Sequence, residues 1–433
     1  DERHVVAGGL AAGIKKSGRH DMTLVRATAG PAAAAAVFTP NRFAAAPVQL
    51  SRRTLAASAP DGEGAWGWAE AVVGTSGSAN AATGEAGLAD QTRIGELVSA
   101  AAGVPVDRVL HLSTGVIGTR LPLDKVEAGL ARLAPAVGTT AADLEAAALG
   151  IRTTDSRTKI AATSVELPGP DGAPVVVSLA GFCKGVGMIH PMMATMLSVV
   201  MTDAAIEPAL LHRLLRLATA RTWDQLSVDG DTSTNDTVFL LASGASGARV
   251  EAGSPAATAF GDALEAVARD LARQQAADGE GATTLLTCRV TGAVDDAEAR
   301  AVARSVVSSS LVKAAAHGRD PNWGRIAGAA GNARLAPAAI LEAGGMAPVE
   351  ATARAGAQAD VDPDRLRIAI AGFLVYDGPT GGPVAFDRAA ARAALDAPET
   401  VLRLDLGLGA GIGEAFGCDL TEEYVIENSE YTT

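Results

Sequence analysis

The chain has 433 residues, 48% of them hydrophobic and 20% charged, which is enough apolar material for two or three domains and excludes disorder as the dominant state. With 36 Lys plus Arg against 49 Asp plus Glu, the net charge is -13, so the electrostatic footprint for nucleic acid or an anionic membrane is missing. Three widely spaced cysteines, Cys183, Cys288 and Cys418, form no C-x-x-C, which argues against a disulfide framework or a zinc site and fits a reducing compartment. The first residues, Asp1 to His4, do not read as a signal peptide, and no run of about 18 apolar residues occurs, so the expected setting is cytoplasmic.

In chain order, strand and helix signals alternate. Leu167-Pro168-Gly169-Pro170-Asp171-Gly172 separates 164–167 from 175–179 and predicts a hairpin with a loose loop. Pro208 opens a helix at its first turn, with Leu210, Leu211, Leu214, Leu215 and Ala218 on one face. Ser254-Pro255 opens another, with Phe260, Leu264, Val267 and Leu271 as its stripe, ending near Asp278. A strand is expected over 283–290. Residues 365–376 alternate strongly, as do Leu402, Leu404, Leu406 and Leu408, which predicts half-buried strands in a C-terminal lobe. The Ala-rich stretch 344–358 reads as a linker-like or variable region. The pattern as a whole is α+β, or mixed α/β, with extensive sheet.

Several familiar motifs fail. Asp229-Gly230-Asp231-Thr232-Ser233 starts like a calcium loop, but the sixth position is Thr234 and the twelfth Leu240, so it is not an EF-hand. Gly407, Gly409, Gly411 and Gly413 follow a strand without satisfying G-x-G-x-x-G. None of His4, His20, His111, His190, His212 and His317 forms H-x-x-x-H or H-E-x-x-H, and surface or core roles are expected for them.

The segment 184–197 is the most informative. Gly185 and Gly187 permit unusual backbone angles, Pro191 stiffens the chain, and a lone Thr195 stands among Met, Ala and Leu. Two readings are open at this point. In one, 184–197 is a buried strand entered through a glycine turn, with Thr195 bonded to backbone. In the other, a cut between Ala194 and Thr195 frees an α-amine, whose reference pKa of ~7.7–8.0 lets it serve as base to the Thr hydroxyl. Spacing alone does not choose.

This segment resembles the autocleavage site of the ornithine acetyltransferase family, the bifunctional glutamate N-acetyltransferases of arginine biosynthesis. Further blocks match in order along nearly the whole chain. They are Val37-Phe38-Thr39-Pro40-Asn41-Arg42, Ser113-Thr114-Gly115-Val116-Ile117-Gly118, Thr153-Thr154-Asp155, the run from Ser227 to Thr237, Asp278-Gly279-Glu280-Gly281, the run from Gly318 to Ile326, and Gly417-Cys418-Asp419-Leu420-Thr421. Departures also stand out. Thr75 and Ser78 replace asparagines usual in the family, Met192 stands where a polar residue is usual, His317 replaces an aromatic, and Phe416 a Trp.

The resemblance implies a layered α/β/β/α sandwich, of the type shared with N-terminal-nucleophile aminopeptidases, with a further C-terminal α/β lobe at roughly 300–433. It implies self-cleavage at Ala194-Thr195 into an α-chain, 1–194, and a β-chain, 195–433, assembling as two of each. By the same resemblance Thr195 is the acetyl acceptor, and Thr114 and Gly115 form the oxyanion pair. Thr153, Lys184, Thr195, Glu280, Asn428 and Thr433 then bind substrate. The implied reaction transfers acetyl from N2-acetyl-L-ornithine to L-glutamate. No metal or organic cofactor is called for, and acetyl-CoA is an alternative donor. The other readings are the same chemistry on another amine acceptor in a secondary-metabolic pathway, an N-terminal-Thr amidase or aminopeptidase with water as acceptor, and a non-enzymatic binding protein that keeps the fold.

Overall fold

The fold is built on small side chains. Strand Ala32–Phe38 reads Ala-Ala-Ala-Ala-Ala-Val-Phe, a sequence whose intrinsic preference is helical, yet every residue of it is buried in a sheet. Burial between neighbours outweighs propensity there, because Ala packs on both faces of a strand without crowding it. The computed structural model describes residues 4–190 and 196–429, which divide into two compact units. One comprises 4–185, 196–218 and 233–271; the other comprises 186–190, 219–232 and 272–429.

In the first unit, strands β1 (Val5–Leu10), β2 (Met22–Ala27), β3 (Ala32–Phe38), β4 (Trp66–Ala69), β5 (Ala71–Ser78), β6 (Val109–Val116), β7 (Lys159–Pro168), β8 (Pro174–Lys184) and β9 (Leu197–Thr202) form two sheets together with Thr237–Ala242. The first sheet runs β1-β2-β5-β6, with β5 and β6 parallel. The second runs β4-β3-(237–242)-β9-β8-β7, with only 237–242 and β9 parallel. Val25, Val72 and Leu110 from the first sheet meet Phe38, Phe182, Val199 and Phe239 from the second in one core. Phe38 and Phe239 pack edge to face at 5.9 Å between centroids.

Helices α1 (Ala46–Ser58) and α4 (Ala141–Gly150) add Val48, Leu55, Ala147 and Ala148 to that core. On the other face of the first sheet, α2 (Gly84–Ala102) and α3 (Leu123–Leu133) bury Ile94, Val98, Val126 and Leu130 against Leu24, Val73 and Val109. On the second sheet, a Cβ added to Gly181 would meet Val200 and Leu271, which places the helix opened by Pro255 on its outer face. The layering is therefore helix, sheet, sheet, helix, as the family resemblance implies.

The second unit carries a seven-stranded sheet whose central strands are Gly411–Cys418, Leu285–Ala293 and Glu399–Asp405. Helix Asp296–Ser308 lies on it, burying Val302, Val306 and Val307 with Val290, Leu402 and Leu404. The glycine run is explained here. A Cβ at Gly411 would stand 2.2 Å from the Asp295 carbonyl carbon, and one at Gly413 would stand 2.6 Å from the Arg300 amide nitrogen. These glycines let the helix lie directly on the strand.

The hairpin read at 164–179 is longer than expected, pairing β7 with β8 from Lys159 opposite Cys183 to Pro168 opposite Pro174. The helices Pro208–Arg221 and Pro255–Ala277 start where proline places them. Two readings are corrected. The alternating stretch 365–376 is two strands, Arg367–Ile370 and Phe373–Asp377, joined by Ala371 and Gly372 with φ of 49° and 90°. This is a two-residue hairpin turn in left-handed conformation, without the Asn or Asp that normally signals it. The supposed linker 344–358 contains helix Pro348–Arg354, anchored by the fully buried Ala351. No helix among the described residues is long and apolar enough to cross a membrane.

Close packing gives the first testable outcome. A Cβ at Gly9 would stand 2.0 Å from the carbonyl oxygen of Ala146 in α4. Gly9→Ala and Gly413→Ala are each expected to lower stability by about 1–3 kcal/mol, read as a shift in chemical denaturation midpoint. An unchanged midpoint would mean that the overlying helix shifts without cost.

Candidate active site

The ends of β5, β6 and β8 converge in the first unit. Thr114 and Gly115 close β6, where the parallel ladder with β5 shifts register at Gly77 and Ser78. Gly115 has φ of 131°, and a Cβ there would come within 2.5 Å of the Gly77 carbonyl carbon, so this position accepts only glycine. Thr114 is buried, and its Oγ1 accepts a 3.2 Å hydrogen bond from the Nζ of Lys184, the last residue of β8. Lys184 also pairs across the sheet with Leu197, two residues after Thr195.

Asp155 fixes the way the chain leaves β8. Its Oδ1 accepts 2.7 Å from the Lys159 ammonium and 2.9 Å from the Gly185 amide, while Oδ2 accepts 3.2 Å from the Thr153 amide. The Asp155 and Lys159 side chains are both fully buried. Burial alone would raise the Asp155 carboxyl, but Lys159, Lys184 and the hydrogen bonds outweigh it and hold the group at about 2. Lys15 lies beside this array, against Gly77. Its ammonium donates to the carbonyls of His20 and Arg152 at 2.8 and 2.5 Å. Burial, with help from Arg19 and Lys184, pushes it down to about 8 against the pull of Asp21 and Asp155.

Asp236 holds the backbone on the other side. It is fully buried, and its Oδ1 accepts 2.9 Å from the amide of Met196, the residue after Thr195. Its Oδ2 has no hydrogen-bond partner among the described residues. Asn235 beside it donates to the carbonyls of Ala79 and Ser113, at 2.7 and 2.8 Å, tying the β5 and β6 ends to this segment. The hydroxyls at the two positions where the family usually has asparagine are locally satisfied. Thr75 bonds Ser113, and Ser78 donates to the Thr119 carbonyl.

A second cluster stands in the second unit. The carboxylate of Glu280 lies against Gly187, where a Cβ would come within 2.2 Å of its Oε2, and the same oxygen accepts 2.8 Å from Asn428 Nδ2. The Glu280 amide donates to the Val186 carbonyl at 2.8 Å. Asp229 accepts from the amides of Met188 and Ile189, at 2.6 and 2.8 Å, and from the Tyr424 hydroxyl at 3.1 Å. The aspartate of the failed calcium motif is thus a clamp on 188–189. Burial raises the nearby Glu427 carboxyl, and Glu280, Glu423 and Asp278 add to the shift.

Of the nominated residues, Thr114, Gly115, Thr153 and Lys184 are gathered in the first unit, and Glu280 and Asn428 touch in the second. Ala194, Thr195 and Thr433 lie outside the described residues, as does the Met192 departure. Lys15, Asp155, Asp229 and Asp236 are site residues that the sequence pattern does not single out, although the three aspartates stand inside the blocks that carry the resemblance. Chemically, the first cluster sets a hydroxyl and an ammonium at the mouth of a sheet, donors suited to an oxygen that gains negative charge.

Asp236 makes a pH-dependent prediction. Burial raises its carboxyl well above the ordinary range, against the Met196 amide, the nearby Ser233 and the charge of Lys184, which favour the charged form. A pKa raised in the folded state contributes stability below the unfolded value of ~3.9 and loses it as pH climbs through the folded value. Asn keeps the acceptor for Met196 and cannot ionise. Asp236→Asn is therefore expected to gain stability relative to the parent between pH 4 and pH 8, measured as the difference in denaturation midpoint. A difference that stays constant with pH would show that Asp236 ionises as readily in the fold as outside it.

Comparison with known proteins places this sequence in a family. The ArgJ family model matches residues 6–433. The arginine biosynthesis bifunctional protein ArgJ of Gloeobacter violaceus is 42% identical over 430 residues, covering 99% of this chain and 96% of the relative. That of Thermus thermophilus is 42% identical over 427 residues, covering 99% and 97%. A crystal structure of the Bacillus halodurans protein of the same name is 37% identical, covers 53% of this chain and 97% of that one, and superposes with a TM-score of 0.45. Matched from end to end by the family model and by these relatives, the chain belongs to the ArgJ family.

Proposed function

We propose that the chain is a self-processing acyltransferase of arginine biosynthesis that moves acetyl from N2-acetyl-L-ornithine to L-glutamate. One observation carries the reading: a chain matched along 6–433 by the ArgJ family holds the Lys184 ammonium on the Thr114 hydroxyl, with Met196, the residue after Thr195, fixed by Asp236.

Cleavage between Ala194 and Thr195 frees the amine that serves Thr195 as base. The Thr195 hydroxyl attacks the acetyl carbonyl, and its proton passes to that amine. Thr114 and Gly115 stabilise the tetrahedral oxyanion, such donors contributing ~3–4 kcal/mol apiece. The C–N bond breaks, ornithine leaves with the proton, and Thr195 remains as an acetyl ester. The glutamate amine then attacks that ester, and Thr195 recovers its proton.

Lys184 and Thr153 suit the α-carboxylate of an amino acid. Glu280 and Asn428, with Glu423 and Glu427 nearby, suit its amine. Thr433 completes the substrate set in this reading. The processed enzyme is two α-chains and two β-chains in the cytoplasm. Acetyl-CoA as donor, another amine as acceptor, and water as acceptor are the outcomes that a panel of donors and acceptors separates.

The parent protein is expected to give two bands, 1–194 and 195–433, and to form N-acetylglutamate from N-acetylornithine only when glutamate is present. Thr195→Ala is expected to give one band and no transfer. Efficient cleavage in that variant would remove Thr195 from the reaction. For Thr114→Ala, transfer normalised to cleaved enzyme is expected to slow by about 10²–10³-fold. An unchanged rate would take Thr114 out of the site.

A further inference from the structure

A cavity of about 870 Å3 in the second unit is built for anions. Its wall includes Arg304, Arg325, Arg334, His190, Asn322 and Ser308, and no carboxylate lies among its lining residues. In a chain of net charge -13, three guanidiniums without an acid are an arrangement that chance surface composition does not favour. None of the described residues nominated for catalysis or substrate binding lines it.

The arginines are held in place without being neutralised. Arg304 donates to the Gln225 side-chain oxygen at 3.1 Å and to the Arg334 carbonyl at 3.0 Å. Arg325 donates to the Leu311 carbonyl at 2.8 Å, and Arg334 to the Gly356 carbonyl at 3.3 Å. All these partners are neutral, and among the described residues none of the three arginines is salt-bridged. Burial pushes Arg304 down to about 10, against the attraction of Asp224 and with the repulsion of Arg300. Two further polar atoms on the wall, His190 Nδ1 and Ser308 Oγ, are buried without a hydrogen-bond partner among the described residues. Buried polar atoms are ordinarily satisfied, so two orphans on one charged cavity point to a ligand that supplies the partners.

We propose that this cavity binds a phosphate-bearing small molecule, its phosphoryl oxygens held by Arg304, Arg325 and Arg334 with His190 and Ser308 as further hydrogen-bonding groups. A phosphoryl group carries about -1.5 to -2 charges and three acceptor oxygens, which three guanidinium forks match better than a single carboxylate would. The volume lies within the range of about 300–1,000 Å3 typical of small-molecule sites. Acetyl transfer from N2-acetyl-L-ornithine to L-glutamate involves no phosphate, so this site is additional to that transfer; of the donors named above, only acetyl-CoA carries the groups it would take.

The test uses the full processed protein with pyrophosphate as probe, by isothermal titration at fixed ionic strength. One saturable site is expected, weakened at least about tenfold by Arg325→Gln and by Arg334→Gln. Gly328 supplies the control for folding. It lines the cavity, sits in helix Trp323–Gly331, and has nothing within 4 Å of an added Cβ. Gly328→Leu fills the cavity while favouring the helix, so it is expected to keep the parent's thermal midpoint and lose the probe. The proposal fails if pyrophosphate shows no saturable binding, if Gly328→Leu binds it undiminished, or if citrate, a carboxylate anion, binds the parent equally tightly.

Discussion

The buried carboxylate of Asp155 is the constraint on which the first cluster depends. Taking that charge out of water costs several kcal/mol, and the cost is offset only because Lys159 and the Gly185 amide meet one of its oxygens. The Gly185 contact ends β8 at one residue and so decides where the Lys184 ammonium stands. Thr114 is bonded to that ammonium, and Gly115 follows it at a backbone angle only glycine tolerates. The whole array therefore hangs on one internal ion pair. Removing one member of such a pair typically costs about 3–5 kcal/mol, because the other is left charged and alone.

The second unit applies similar logic to a different segment. Asp229 gathers two consecutive amides, those of Met188 and Ile189, and a tyrosine hydroxyl. Both aspartates grip the backbone of the stretch that leads toward Ala194, one at Gly185 and one at 188–189. Neither is nominated by residue type, since each spends its charge on backbone amides or on a buried lysine rather than presenting it to solvent.

Much of this was legible in the sequence. Proline fixed the starts of the helices Pro208–Arg221 and Pro255–Ala277, and the Pro/Gly loop at 167–172 marked the hairpin of β7 and β8, though not its full length. The Ala371–Gly372 turn was not legible, because alternation resumes on both sides of it and Gly372 lacks the preceding Asn or Asp that usually marks such a turn. The helix Pro348–Arg354 was hidden because Ala-rich composition is shared by linkers and short helices, and only the burial of Ala351 distinguishes them. Ala32–Phe38 shows the same limit, since a polyalanine run becomes a strand only through its neighbours. At the site, Thr114, Gly115 and Lys184 were reached through the family resemblance. Asp155 and Asp236 required coordinates, because what marks them is burial and partners far away in sequence.

The strand order of the second sheet carries one more consequence. Reading across it, β4 and β3 precede position 194 in sequence, 237–242 and β9 follow it, and β8 and β7 precede it again. A chain opened between Ala194 and Thr195 would therefore leave two pieces that alternate within a single hydrogen-bonded sheet, like fingers of folded hands. The ladders from β3 to 237–242 and from β8 to β9 would become joints between separate polypeptides. Neither piece contains a complete version of that sheet, so the two would behave as halves of a split protein. Each would supply the strands that cover the other's edges, and the pieces would part only when the sheet itself unzips.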